Sequence, residues 1–586
     1  MKFSRIASKA FITIALASSV RSFGSTRSLH RTVFVGACSR SQQSCTTSRS
    51  STKVKMSTVT ATEDGTATPT STKLEDHSEA YKELISKLQL ITQLDRASAV
   101  LSYDQLVFMP QTEQTSSERG AQMSALASVQ HEKKTDPEVL KLILEAKEDL
   151  KAASASSFCD FSDEARLLEL EKKSFLENER IPQELAARSA ALSTSAYGAW
   201  AKARQASDFS AFEPLLSDCF NTAKEVAEAK RGDAKDISLY TQMLDKFETG
   251  MAKSRIDDVF ARIQTALVPL IARVSSSPSA PSTNPLKGTF PIDRQKELSE
   301  KIVKAIGFDD ALGRIDVSVH PFTSSFSPSD VRITSRFSDS EWYQGLAGTV
   351  HEGGHAIYEQ NLKGGSALNI DAALSMGTHE SQSLFWERHV GLSKPFWKWA
   401  TPMLNETFEG FDYSDRDVYE AVNALTRSLI RVESDELTYP LHVILRYNIE
   451  NDVIEGNLAV KDIPTRWNDD MKKLLDLDVP SDDKGCLQDV HWSHLAFGYF
   501  PTYLIGSATA AQLSHYCHLD IPDMDDKIER GEFAEIKAWL TKKVHRHGKR
   551  YKSLDELLKN ELGEELNPEY FIRYLTEKYT ELYKCD

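Results

Sequence analysis

The chain has 586 residues, with 70 basic and 85 acidic side chains and a formal net charge of −15. The first 62 residues hold ten Lys or Arg and no acid, so the remainder carries 60 basic against 85 acidic residues, or −25. So acidic a body argues against nucleic acid and anionic membrane surfaces as partners, and its length suffices for a large core. Seven cysteines are present: Cys38 and Cys45 near the start, then Cys159, Cys219, Cys486, Cys517 and Cys585, without metal spacing. They point to a reduced body rather than a disulfide scaffold.

Residues 1–62 are rich in Ser and Thr, and an apolar run over 11–20 follows a basic start. That run is too short to span a membrane and reads as part of a targeting leader, signal-like and then transit-like. The pattern predicts delivery to a plastid or mitochondrion, and Met56 offers a second start for a cytosolic form. Residues 63–79 are polar and Thr-rich and read as a linker. From residue 80 apolar side chains recur at three- and four-residue steps, as in Tyr81, Leu84, Leu88, Ile91 and Leu94, which predicts helix. Segments 135–155, 162–178, 182–205 and 213–230 read the same way, and 80–230 is expected to form a helical lobe over a cleft. The Ser- and Pro-rich stretch 275–290 reads as a loop. Alternation at Ile315, Val317, Val319, Val331 and Ile333 predicts a short strand pair within 315–337.

Residues 347–360, AGTVHEGGHAIYEQ, place His351, Glu352 and His355 in an H-E-x-x-H arrangement. On a helix, positions i and i+4 lie about 40° apart, so both imidazoles can reach one metal ion. Glu352 stands beside them, where it can take a proton from a water without ligating the ion. Two histidines leave zinc short of its usual three protein ligands plus an open position. Glu359, on the same helix, reads as a carboxylate beside the site. His379 and Glu380, at the start of a helix predicted over 379–391, are better placed to supply the third ligand. The neighbouring Gly353 and Gly354 each cost roughly 0.8–1 kcal/mol in a helix interior, which fits a place where something approaches the backbone closely. A long helix is expected over 415–438, with a break or kink near 436–440 at Pro440. Asn405 opens a glycosylation sequon, a weak signal on its own. No stretch reads as a transmembrane helix, and the body 80–586 reads as mainly α with a small β element.

The motifs together resemble the carboxypeptidase Taq family, the M32 metallocarboxypeptidases. The matching stretches are SYDQLVFMP (102–110), HPF (320–322), DVRIT (330–334), HEGGH (351–355), HESQ (379–382), IRVESDE (430–436), GCLQDVHW (485–492), FGYFPTYLIG (497–506) and LNPEYFIRYL (566–575). The resemblance implies a large helical fold with a deep active-site groove and a homodimer. It places the metal on His351, His355 and Glu380 and the general base on Glu352. Within its motifs, Tyr503 and His491 are candidates to stabilise the tetrahedral intermediate. Arg431 is the candidate reader of the substrate's C-terminal carboxylate, with Arg332 behind it and His320 lining the cleft. Ser434 and Tyr103 stand where the family often has Ala and Trp. The expected activity is zinc-dependent release of C-terminal residues from short peptides with broad preference, with cobalt as an alternative ion. A zinc oligopeptidase that cuts inside short peptides is the alternative. The intact metal motif argues against a non-catalytic scaffold.

Overall fold

The computed structural model describes residues 74–153, 162–363 and 368–585. The leader read over 1–62, and most of the linker after it, lie outside those residues. The described chain is helical apart from one three-stranded sheet. Among the described residues no helix is long and apolar enough to cross a membrane.

The N-terminal region begins with helices α1 (Glu79–Val107), α2 (Glu113–Lys134), α3 (Pro137–Ala153) and α4 (Asp163–Glu179). Ser78, Thr112 and Ser162 cap α1, α2 and α4, each side chain accepting a backbone N–H in the first turn. Tyr81, Leu84, Ile85 and Leu88 of α1 meet Val139, Leu142 and Ile143 of α3 and Leu167, Leu168 and Phe175 of α4 in a small core of their own. Ile370, from the body, joins that cluster. Helices α5 (Gln183–Ala206) and α6 (Glu213–Arg231) bury Trp200, Leu216 and Phe220 in the main core instead.

Three strands, rather than the expected pair, form the sheet: β1 (Gly313–Val317), β2 (Phe322–Ser327) and β3 (Asp330–Ser335), in the order β1-β3-β2. β1 runs parallel to β3 with Ile315 opposite Ile333, and β2 runs antiparallel to β3 with Ser324 opposite Arg332. Alternation divides the two faces. Phe322 and Phe326 pack on Tyr103 of α1, whereas Val331 and Ile333 enter the main core. The sheet therefore lies between the N-terminal region and the helix that carries the H-E-x-x-H residues.

That helix, α8 (Tyr343–Asn361), is held between α7 (Ile292–Ala305) and α9 (Met376–Leu384), and α9 packs in turn on α11 (Pro501–Asp520). Glycines permit the close crossings. A Cβ on Gly353 would fall 2.2 Å from Val303 Cγ2, and one on Gly354 would fall 2.7 Å from Ser383 Cα. One on Gly506 of α11 would fall 2.7 Å from the Cβ of Glu380. The glycine pair thus lets α8 lie directly against two neighbours.

The helix expected over 415–438 is not continuous. It ends at Val422, and residues from Asn423 to the next helix follow an irregular path with a short turn at Arg431–Glu433. Asp435 explains the break: its carboxylate accepts the backbone N–H groups of Thr426, Leu437 and Thr438. A side chain that collects backbone donors in this way competes with helix formation. Helix α10 (Tyr439–Glu455) then starts with Pro440 in its first turn, where a missing N–H costs nothing. The predicted break is thus the start of a helix, not a kink inside one.

Candidate active site

His351 and His355 sit on one face of α8, and Glu380 sits on the facing side of α9. His355 Nε2 lies 3.5 Å from Glu380 Oε2 and His351 Nε2 lies 3.9 Å from the same oxygen. One ligand atom from each residue falls within 4.8 Å of the others. Zinc bonds of about 2.0–2.2 Å in a tetrahedron separate ligand atoms by roughly 3.3–3.6 Å, so the spacing fits a metal ion. His379 and Glu359 do not join the cluster; they bond to each other at 3.0 Å, and the His379 ring stacks on His355 at 4.3 Å.

The electrostatics of the cluster suit a cation. Burial and the neighbouring His379 push His355 down to about 3, so its imidazole is neutral, the form that can bind a metal. Its buried Nδ1 has no hydrogen-bond partner. Burial would also lower His351, but the hydrogen bond to Glu387 and the charges of Glu380 and Glu387 outweigh it and push the ring up to about 9. Burial opposes ionisation of Glu380, yet His355 and His351 hold it down to about 2. Both shifts come from attraction between imidazole and carboxylate groups, and a metal ion bound here would take the place of the proton on His351.

Glu387 is the site residue that the sequence reading passed over. Its Oε2 lies 2.6 Å from His351 Nδ1, which turns Nε2 toward Glu380. Such a carboxylate behind a metal-binding histidine fixes its tautomer and ring orientation. Glu387 lies in a π-helical turn, Phe385–Val390, that continues α9; wide turns of this kind recur at functional sites. The available signal was its place seven residues after Glu380, two helical turns along the same face.

Glu352 is 2% exposed and is held from the sheet. Thr323 of β2 donates to Glu352 Oε2 at 2.7 Å and also reaches its carbonyl at 3.1 Å. Burial raises the Glu352 carboxyl above its ordinary range, while His351 and Thr323 pull the other way.

A second cluster gathers Arg431, Asp489, His491 and Tyr503. His491 Nε2 lies 3.2 Å from the Tyr503 hydroxyl, and both side chains are buried. His491 Nδ1 stands 3.9 Å from Asp489, beyond hydrogen-bond reach. Burial pushes His491 down to about 3, and burial raises the Tyr503 phenol well above its usual value. Tyr503 stands one turn before Gly506 on α11, the face that meets Glu380, and the Glu380 charge adds to its shift.

Arg431 gives Asp489 two bonds, from Nε at 3.2 Å and Nη2 at 2.8 Å, and its Nη1 donates to the Tyr439 hydroxyl at 2.8 Å. Its guanidinium lies over the Tyr503 ring at 4.8 Å. Asp435, four residues on, is not its partner, because that carboxylate serves the backbone. Arg446 of α10 shares Asp489 from the other side at 2.6 Å.

The structure puts Arg332 elsewhere. It pairs with Asp330 through two bonds of 2.9 Å and lies over Phe326 and Tyr103. That is the sheet face turned to α1, opposite the face from which Thr323 reaches Glu352. His320 follows β1; burial lowers it, and its Nε2 is buried without a partner. A cavity of about 640 Å³ opens between the N-terminal helices and the body, lined by Leu88, Phe175, Phe247, Phe326 and, beside the metal cluster, Glu359 and Met376.

Two histidines and an acid from facing helices, beside a buried glutamate, are the parts of a hydrolytic metal site. The model of the carboxypeptidase Taq (M32) metallopeptidase family matches residues 83–579. Carboxypeptidase 1 of Bacillus subtilis is 41% identical over 433 residues, 73% of this chain and 85% of that protein. Thermostable carboxypeptidase 1 of Pyrococcus furiosus is 34% identical over 505 residues, 86% of this chain and 98% of that one. The crystal structure of the M32 carboxypeptidase from Deinococcus radiodurans R1 superposes with a TM-score of 0.81 at 32% identity, covering 86% of this chain and 100% of that chain. The fold and site are thus those of a metallocarboxypeptidase. Within that class, the chain belongs to the carboxypeptidase Taq (M32) family.

Proposed function

We propose that this enzyme releases C-terminal residues from short peptides with broad preference, with zinc held by His351, His355 and Glu380 and with Glu352 as general base. The observation that carries the reading is the convergence of those three side chains beside the buried Glu352. When bound, such an ion lowers the pKa of water to about 7 and polarises a carbonyl oxygen.

The chain's own groups account for the rest. Thr323 occupies Glu352 Oε2, so Oε1 is the oxygen that takes the proton of the attacking water and passes it to the leaving amine. The Tyr503 hydroxyl, braced by His491, is the donor toward the oxyanion. Arg431 supplies positive charge for the terminal carboxylate, and its bonds to Asp489 and Tyr439 hold the guanidinium plane in one orientation.

Mass spectrometry of products from a ladder of free-acid and C-terminally amidated peptides, with and without chelator, tests this reading. Stepwise loss of terminal residues from the free acids alone is expected, and chelator abolishes it. Arg431→Ala is expected to raise KM for free-acid peptides at least tenfold. Comparable cleavage of amidated peptides would replace the reading with an oligopeptidase.

A further inference from the structure

Glu248 has no place in the chemistry above, yet it is fully buried against the helix that carries Glu380. It lies in the turn after the short helix Leu239–Leu244, far earlier in the chain. One carboxylate oxygen, Oε1, accepts the Ser375 hydroxyl at 2.7 Å, and the other, Oε2, accepts the Gly377 N–H at 2.9 Å. The adjacent Phe247 carbonyl accepts the Met376 N–H at 2.8 Å. Ser375 itself caps α9, its oxygen accepting the Thr378 N–H at 3.0 Å. The first-turn donors of α9, which a nine-residue helix otherwise leaves open, are therefore satisfied, two of them by residues 247–248.

The clamp acts on the face that matters. Gly377 and Glu380 are three residues apart and lie on one side of α9. A Cβ on Gly377 would fall 2.4 Å from Glu248 Oε2 and 2.8 Å from Ile505, and the next residue of α11, Gly506, meets Glu380. Glu248 thus fills the notch that Gly377 leaves and stops α9 sliding along α11. A short helix slides or rotates easily when its first turn loses its partners, and a shift of a few tenths of an ångström at Glu380 spoils a metal site.

We propose that Glu248 is a positioning residue for the third metal ligand, fixing the register of α9 and through it the metal affinity. This rests on Glu380 being a ligand. The test uses the full chain, zinc alone as probe, and competition against a chromophoric chelator, with far-UV circular dichroism of the metal-free proteins. Glu248→Ala is expected to weaken zinc about tenfold, as loss of an outer partner commonly does. Glu248→Gln, which keeps one accepting oxygen, is expected to recover part of the loss. Glu450→Gln, an equally buried acid on α10, is expected to lower thermal stability and leave zinc affinity unchanged. If metal-free Glu248→Ala does not fold, Ser375→Ala removes one of the two bonds with the acid in place, and weaker zinc binding is expected there too. A folded Glu248→Ala, or failing that Ser375→Ala, with the zinc affinity of the parent overturns the proposal. Glu380→Gln separates the two ideas: if it binds zinc as the parent does, the ligand assignment fails and this proposal with it; if it alone loses zinc, only the role of Glu248 falls.

Discussion

His351, Glu352 and His355 come from five consecutive residues of one helix, and Glu380 from the next α-helix in the chain. Arg431, Asp489, His491 and Tyr503 come from an irregular stretch, a loop, a short turn and the start of a distant helix. The first group is held by backbone: helices crossing at Gly353, Gly354 and Gly506 leave these side chains little freedom. The second group is held by buried polar groups: Asp489 joins Arg431 to Arg446, and Glu450 accepts from Tyr240, Trp492 and Gly498. One region is therefore expected to fail by losing metal or proton transfer, the other by losing its fold and its grip on substrate.

The largest effect is expected at Glu352. Glu352→Gln should lower kcat by about 10²–10⁴-fold, the usual worth of a placed general base. Zinc stoichiometry by metal analysis should stay at that of the parent, because no ligand changes. Retained turnover would remove Glu352 from the chemistry.

Asp489→Asn is the corresponding blow to the second region. It leaves the buried guanidinium groups of Arg431 and Arg446 without their shared counter-charge. Breaking a buried pair on one side costs about 3–5 kcal/mol, which urea denaturation measures. The loss should be equal with and without zinc. A loss seen only in the zinc-loaded protein would mean that the two regions are coupled.

The same contrast explains what could be read from the sequence. The helix boundaries of the N-terminal region and the H-E-x-x-H motif were legible because both are local: periodicity and i, i+4 spacing suffice. The strand pair expected at 315–319 and 331–333 corresponds to β1 and β3, and the strand it lacks is β2, whose sequence FTSSFS offers two apolar residues among hydroxyls and so a weak alternation. The irregular path over 423–438 was read as helix because its residues carry helical periodicity. The Asp435 carboxylate overrides that preference through backbone bonds that composition does not reveal. Likewise Arg431 and Asp435 stand four residues apart, a spacing that suits a helical ion pair, yet the partner of Arg431 is Asp489, in another segment. Glu248 and Thr323 left no signal at all, since each acts on a residue far away in the chain.

Glu387→Ala sharpens the comparison on the metal side. The variant removes the acceptor that orients His351 but no ligand. Zinc affinity should fall about 10- to 100-fold by chelator competition. The urea midpoint of the metal-free protein should move far less than in Asp489→Asn. Equal affinity in the parent and the variant would mean that the crossing helices alone orient His351.

The smallest effect is a pH dependence of the second region. Burial pushes Glu450 up to about 7, against the pull of Gly498, Tyr240, Trp492 and Arg446. The unfolded chain holds an ordinary glutamate near 4.5, so between these values the native state binds the extra proton. The contribution is fully present below about pH 4.5 and is lost as pH rises through about 7. One group changes stability by at most about 1.4 kcal/mol per pH unit. From pH 5.5 to 6.5 this residue should therefore withdraw about 1 kcal/mol from the parent. Glu450→Gln cannot ionise, so although it is the less stable protein at pH 5.5, its deficit in urea midpoint should narrow by that amount at pH 6.5. Zinc affinity, which the proposed ligands tie to α8 and α9, should show no matching difference between the two proteins over this interval. If the deficit stays constant, Glu450 is already ionised across the range, and its three donors outweigh the cost of burial.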